Sequence, residues 1–148
     1  MNRIQIMPLP ASKLREFVGM TYGSEFAGAM DLRSPNRQSM YCIPGQTYNL
    51  GLGFAIAIPN GLSGLLIPRS GLGTKHRFSL ANTVGLIDSD YRGELMIVFS
   101  VEKELMINHG DRIAQLAIVP TPQFEIELVD ELPITSRGMG GFGHTGMQ

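Results

Sequence analysis

The 148 residues carry twelve Lys and Arg against thirteen Asp and Glu, a formal net charge of −1 that supplies no global basic field for nucleic acid or an anionic membrane. A single cysteine, Cys42, excludes an internal disulfide and any thiolate metal cluster, and it fits a reducing compartment. No segment is apolar for long enough to span a bilayer as a helix, and the first ten residues lack the apolar run of a signal peptide, so the expectation is one cytoplasmic domain around one core.

In chain order, "ASKLREFV" has the composition for a turn or two of helix, and "AGAMDLRS" sets Asp31 inside an apolar stretch. The runs "YNLGLGFAIAIP" and "LSGLLIP" are apolar or alternating and are bounded by Pro, Gly and Asn, which predicts strands. "SGLGTKH" starts a second short helix with Ser70 at its N-terminal end. "ANTVGLIDSDYRGELMI" places a polar turn between two apolar arms and reads as a β-hairpin, with Asp88 following a buried-looking Leu86-Ile87. "LMIVFSV" and "DRIAQLAIVP" are further strands. Turn signals this closely spaced favour an antiparallel barrel or sandwich over alternating βα units. The one shift in composition is the Gly-rich stretch after Leu132, so the expected division is a β-barrel over 1–132 and a flexible tail over 133–148.

Chemistry concentrates at a few places. Arg69, Ser70 and Gly71 stand where a strand end meets a helix start, an arrangement whose backbone N–H groups, hydroxyl and guanidinium suit a polyphosphate; an ordinary strand-to-turn corner is the plainer alternative. Asp88 can activate a water at a pocket edge, or serve only as a turn former; Asp90, nearer the turn, reads as solvated or as a turn former. Gln115 interrupts an apolar strand and needs a partner, either a neighbouring backbone group or a ligand, and Asp31 poses the same choice. His76, His109 and His144 lack metal-ligand spacing, which argues against a protein-held zinc ion.

The terminal "RGMGGFGHTGMQ" matches G-x-G-x-x-G twice, over 138–143 and 141–146. Both matches lack the strand before and the helix after that a dinucleotide fingerprint requires, and no Lys-Ser or Lys-Thr follows to make a phosphate loop. What remains is a donor-rich tail able to fold over an anion, or a frayed terminus.

Taken together, "AGAMDL", "PRSGLG", "ANTVGLIDSDYRGEL", "GDRIAQL" and "RGMGGFGHTG" occur in the order of five family motifs over residues 27–146, and the chain resembles the deoxyuridine triphosphate nucleotidohydrolases, the dUTPases. The resemblance implies a homotrimer of jelly-roll-like antiparallel β-barrels with active sites shared at subunit interfaces. It implies hydrolysis of dUTP to dUMP and pyrophosphate with Mg²⁺, which keeps uracil out of DNA and supplies dUMP for thymidylate synthesis. By motif position, Asp88 matches the general base and Asp31 the acidic residue that supports the metal through its waters. Asn82 and the backbone through Leu86, Ile87 and Met96 match the uracil pocket, and Tyr91 the ring beneath deoxyribose. Arg69, Ser70, Gly71 and Gln115 match phosphate contacts. Arg137, Phe142, Gly143 and His144 match the closing tail, with Phe142 stacking on uracil and Arg137 reaching the γ-phosphate. Residue types agree: phosphoryl transfer asks mainly for positioning and charge neutralisation, and uracil's acceptor–donor–acceptor edge can be complemented by backbone groups.

One position departs from the family pattern. Ala29 stands where the first motif usually carries Gly, and it would be strained if the backbone there needed a positive φ. The alternatives are a dCTP deaminase, which shares the fold, and a non-catalytic trimer that senses dUTP.

Overall fold

The structure is a computed structural model that describes residues 3–9 and 19–141. The helix expected over 11–18 and the tail residues Phe142, Gly143 and His144 lie outside the described residues. The described chain is almost wholly β: β1 (Gln5–Pro8), β2 (Met20–Tyr22), β3 (Met30–Arg33), β4 (Met40–Cys42), β5 (Thr47–Ala57), β6 (Leu62–Pro68), β7 (Ser79–Leu80), β8 (Gly85–Ile87), β9 (Glu94–Ser100), β10 (Leu105–Ile107) and β11 (Arg112–Pro120), with a helix α1 (Ser70–His76) after β6. All pairings are antiparallel. They form one sheet in the order β1-β5-β9-β7, another in the order β2-β3-β11-β6-β8, and a ribbon of β10 with β4. This is the antiparallel β class that the turn spacing favoured, in keeping with the jelly roll that the resemblance implied.

Alternation explains which faces are buried. Leu50, Leu52, Phe54 and Ile56 of β5 and Leu95, Ile97 and Phe99 of β9 point inward, and they meet Leu32, Leu66 and Leu116 in one apolar cluster. Phe99 lies between Phe78 and Tyr48, with ring centroids 4.6 and 5.5 Å away. The "GLG" within β5 marks a bulge: Gly51 pairs with Met96, yet the next paired residue, Ala55, faces Glu94. Two surplus residues preserve the parity of β5, so its apolar positions stay inward on both sides of the irregularity. Gly53 takes φ +75° within it, a conformation that glycine adopts without steric cost.

The expected hairpin takes a different form. Its first arm, β8, pairs with β6, whereas its second, β9, pairs with β5 and β7, so the intervening residues cross from one sheet to the other. The crossing folds upon itself: Arg92 Nη1 donates to the carbonyls of Ser89 and Tyr91, both at 2.7 Å. Leu86 consequently lies on an edge strand and is 58% exposed, not buried. At the front of the molecule, α1 begins after Arg69 and stops where Arg77 enters the left-handed region at φ +52°, its N–H bonded to the Leu72 carbonyl. Ala29 is not among the residues with positive φ, so its departure from the family pattern strains nothing.

Because Phe99 is fully buried between two rings, Phe99→Ala is expected to lower the unfolding free energy by about 3–5 kcal/mol. A urea titration showing a lower midpoint at unchanged slope checks this.

Candidate active site

The sequence-predicted residues fall into two constellations at opposite ends of the β2-β3-β11-β6-β8 sheet. The first centres on Asp31. Its carboxylate is 3% exposed and accepts from Arg69 Nε at 3.1 Å and Gln115 Nε2 at 3.2 Å on Oδ1, and from Arg112 Nη1 at 3.3 Å on Oδ2. Register accounts for the meeting of Asp31 and Gln115, which are cross-strand partners in β3 and β11. Arg112 reaches the same carboxylate through a bulge. It lies three residues before Gln115, and strict alternation would send it to the other face. The pairing slips between Arg112 and Ala114, so that Arg112 opposes Arg33 and shares the face of Asp31. Arg69 arrives from the end of β6, and its Nη1 also reaches the Arg112 carbonyl at 3.5 Å.

The sequence singled out Asp31, Arg69 and Gln115 but not Arg112. No pattern in the sequence marked it: β11 is apolar again from Leu116 to Val119, so the consecutive, buried Ile113 and Ala114 of "RIAQ" do not stand out as a slip. Ser70 and Gly71 follow Arg69 as the exposed first residues of α1, whose leading N–H groups have no intrahelical acceptor.

The second constellation is the loop between β8 and β9. Asp88 is exposed, and its carbonyl accepts from the Tyr91 N–H at 3.2 Å. The Tyr91 ring is 41% exposed, lies over Gly93 and donates its hydroxyl to the Glu94 carbonyl at 2.9 Å. Ahead of β8, Thr83 takes φ +62° while the Val84 N–H donates to the Asn82 carbonyl at 2.6 Å. This is a γ-turn at a β-branched residue, a strained arrangement of the kind that gathers at ligand sites. The Asn82 amide closes over Gly85, where an added Cβ would come within 3.2 Å of Nδ2 and 3.0 Å of Leu66 Cβ. Met96 is exposed on the outer face of β9. Beside the loop, a cleft of about 750 Å³ is walled by residues that include Asn60, Ser63, Leu86, Asp88, Asp90 and Thr121.

One chain does not bring the constellations together. Ile87 pairs with Gly64 of β6, whereas Asp31 pairs with Gln115, which pairs with Ile67. At roughly 3.3 Å per residue along a strand and roughly 4.8 Å between strands, Asp88 and Asp31 are roughly 15–20 Å apart. Arg137 is elsewhere again: it is exposed in a turn, where its Nε donates to the Gly140 carbonyl at 2.9 Å. The ladder ends at Pro120, and beyond it Phe124, Ile126 and Leu128 alternate along a chain that leaves them almost wholly in solvent.

The donor set bears on a metal ion. Among the described residues no three His, Cys, Asp or Glu side chains converge to hold one. A carboxylate has about four acceptor positions, two on each oxygen. Oδ1 of Asp31 already accepts twice and Oδ2 once, and Gly23 leaves space beside Oδ2, since a Cβ there would stand 3.4 Å away. One lone pair is therefore left for a metal-bound water, which fits a Mg²⁺ ion carried on phosphates and not one caged by protein. The remaining candidates in the sequence are accounted for locally. His76 Nδ1 pairs with the Glu104 carbonyl and His109 Nδ1 with the Pro35 carbonyl, while burial pushes the Cys42 thiol above its usual range.

Asp31→Asn is expected to destabilise the fold by about 1–3 kcal/mol, because its NH₂ can no longer accept from a guanidinium and the two arginines lose their counter-charge. The midpoint of urea unfolding measures it, and an unchanged midpoint contradicts the assigned bonding.

Comparison with known proteins bears on the family. The sequence profile of the dUTPase family matches residues 16–146. The deoxyuridine 5'-triphosphate nucleotidohydrolase of Haemophilus influenzae is 43% identical, with 100% of each chain covered. That of Escherichia coli is 42% identical over 100% of each chain. Among solved structures, the Staphylococcus bacteriophage 80alpha dUTPase with dUPNHPP superposes with a TM-score of 0.82 at 26% identity, covering 99% of both chains. A dUTPase from phage phi11 of S. aureus, which coordinates a structural Mg(II) ion, shares the fold with a TM-score of 0.73 at 23% identity, over 88% of this chain and 99% of that one. With the motifs, the jelly roll and whole-length relatives in agreement, the chain belongs to the dUTPase family.

Proposed function

We propose that this dUTPase hydrolyses dUTP to dUMP and pyrophosphate in a site assembled from more than one copy of the chain, with Asp88 as the general base. The observation that carries the reading is the division of the site. The phosphate-type donors around Asp31 and the loop bearing Asp88 stand at opposite ends of one sheet, and one nucleotide triphosphate needs both. The outer face of that sheet supports assembly into a homotrimer. By pairing parity, Leu65, Ile67, Leu86, Ala117 and Val119 share it with Asp31 and Gln115, so a largely apolar face is left for another subunit to cover. The alternating, exposed Phe124, Ile126 and Leu128 likewise suit a chain that runs onto a neighbour and carries Arg137, Phe142, Gly143 and His144 with it.

In the reaction, the exposed Asp88 carboxylate orients a water and takes its proton as the oxygen attacks the α-phosphorus. The bond from that phosphorus to the bridging oxygen of the β-phosphate breaks, and pyrophosphate leaves. Arg69, Gln115, the hydroxyl of Ser70 and the N–H of Gly71 neutralise and hold the phosphate chain. Asn82 and the backbone of Leu86, Ile87 and Met96 receive uracil, and the ring of Tyr91 takes the sugar face, where a ribose hydroxyl has no room. Asp31 would hold a Mg²⁺ ion through a metal-bound water, and the ion would supply further neutralisation of the leaving charge. Arg137 reaches the γ-phosphate and Phe142 stacks on the base, closing the tail and excluding water. Whole-length relatives that are nucleotidohydrolases favour this reading over the deaminase one.

The test is pyrophosphate release from each deoxynucleoside triphosphate and from UTP, in wild type and Asp88→Asn. Product is expected from dUTP alone in wild type, and the variant is expected to lose nearly all turnover while retaining dUTP affinity. Wild-type turnover in the variant removes Asp88 from the role of base.

Sharing between copies has its own test. Chains carrying Asp88→Asn are mixed by refolding with chains that keep Asp88 but end at Leu132. Each species alone is expected to be nearly inactive, and mixed assemblies are expected to regain activity, because an intact tail then closes over an intact Asp88. Mixed assemblies, shown by pull-down through a tag on one chain, that stay inactive exclude the crossed tail.

A further inference from the structure

Glu94 takes no part in the chemistry described above, yet it joins the two irregular segments that flank the candidate sugar site. Its side chain lies on the outer face of the β5–β9 pair, across the bulge. Oε1 accepts the Gly53 N–H at 2.8 Å, a group that the bulge removes from the ladder. The carboxylate also fills the space above Gly51: a Cβ added there would stand 2.8 Å from Glu94 Cδ and closer still to Oε1, which only the absence of a side chain permits. At the same residue the main chain does a second job, because the Glu94 carbonyl accepts the Tyr91 hydroxyl at 2.9 Å. The ring is fixed from below as well, since a Cβ on Gly93 would lie 2.7 Å from Tyr91 Cζ. Through the Tyr91 N–H on the Asp88 carbonyl, the same chain of contacts continues to the general base.

We infer that Glu94 is a positioning residue for sugar selection. By clasping the β5 bulge, its carboxylate fixes the carbonyl that anchors the Tyr91 hydroxyl, and so sets how close the ring stands to the 2′ carbon of the substrate. This rests on Tyr91 being the sugar gate, as proposed above. A carboxylate suits the task because it is acceptor-only and carries charge, which makes its bond to a backbone N–H shorter and stronger than a neutral one. The bulge in turn offers an N–H that no strand partner claims.

The experiment compares kcat/KM for dUTP with that for UTP in the assembled enzyme. Glu94→Ala is expected to shrink the preference for dUTP by about tenfold, with KM for dUTP changed less than the UTP ratio. Glu94→Gln retains an acceptor for Gly53 and is expected to keep most of the preference. Tyr91→Phe, which keeps the ring and removes only its anchor, is expected to behave like Glu94→Ala. Should Glu94→Ala fail to fold, Glu94→Asp takes its place, since it withdraws the carboxylate by one methylene while keeping the charge. Folded variants that are less stable but discriminate as wild type overturn the proposal and leave Glu94 a purely structural clasp. Tyr91→Ala separates the levels. If it relaxes selection while the Glu94 variants do not, the positioning role alone fails; if it too leaves selection unchanged, the sugar gate itself is wrong and the proposal falls with it.

Discussion

A single buried carboxylate organises one end of the β2-β3-β11-β6-β8 sheet. Two guanidinium groups and an amide need a negative acceptor to share a small space on one sheet face, and Asp31 supplies it from the strand next to Gln115. Without that charge the arginines would repel one another and turn to solvent, and the donors that suit a triphosphate would lose their common orientation. The desolvation of Asp31 is met by three hydrogen bonds, two of them from cations that stay partly in water, so the arrangement avoids the cost of an isolated buried ion.

The separation of the two constellations follows from topology. Both constellations belong to one sheet, but β6 carries one at each end, with Arg69 after its last residue and Ser63 near Asp88 at its first turn. A strand of that length holds them apart, and no loop movement of ordinary size closes the gap. Under the proposed reading, function depends on how copies are placed against one another, and the apolar outer face between the two ends is the surface best suited to set that placement.

Much of this was legible in the sequence. "LSGLLIP" and "DRIAQLAIVP" coincide almost residue for residue with β6 and β11, because apolar runs bounded by Pro and Gly leave little else to form. Motif order singled out Asp31, Arg69 and Gln115 of the first constellation and Asn82, Asp88 and Tyr91 of the second. Pairing was less accessible. The arms around Asp88 have the composition of a hairpin, but nothing in them states that β8 finds β6 while β9 finds β5; that choice is made by residues far away in the chain. Bulges were equally silent, since a slip of one residue at Ile113 or two at Leu52 leaves composition untouched, and so Arg112 and Glu94 were not recognised as contacts. The glycines of "GLG" gave the clue only once the carboxylate above Gly51 was known.

The position of β11 has a consequence for biosynthesis. This strand, Arg112–Pro120, is the last of the described strands in chain order, yet it lies in the middle of its sheet, between β3 and β6. Until it emerges, β2-β3 and β6-β8 are separate fragments with open edges, and Asp31 has neither Gln115 nor Arg112. Closure of the barrel is therefore a late event that brings together segments distant in sequence, the kind of topology that folds slowly and leaves strand edges exposed meanwhile. A nascent chain carries those open edges until β11 emerges, the interval in which shielding by chaperones matters most, and insertion of one strand ends it.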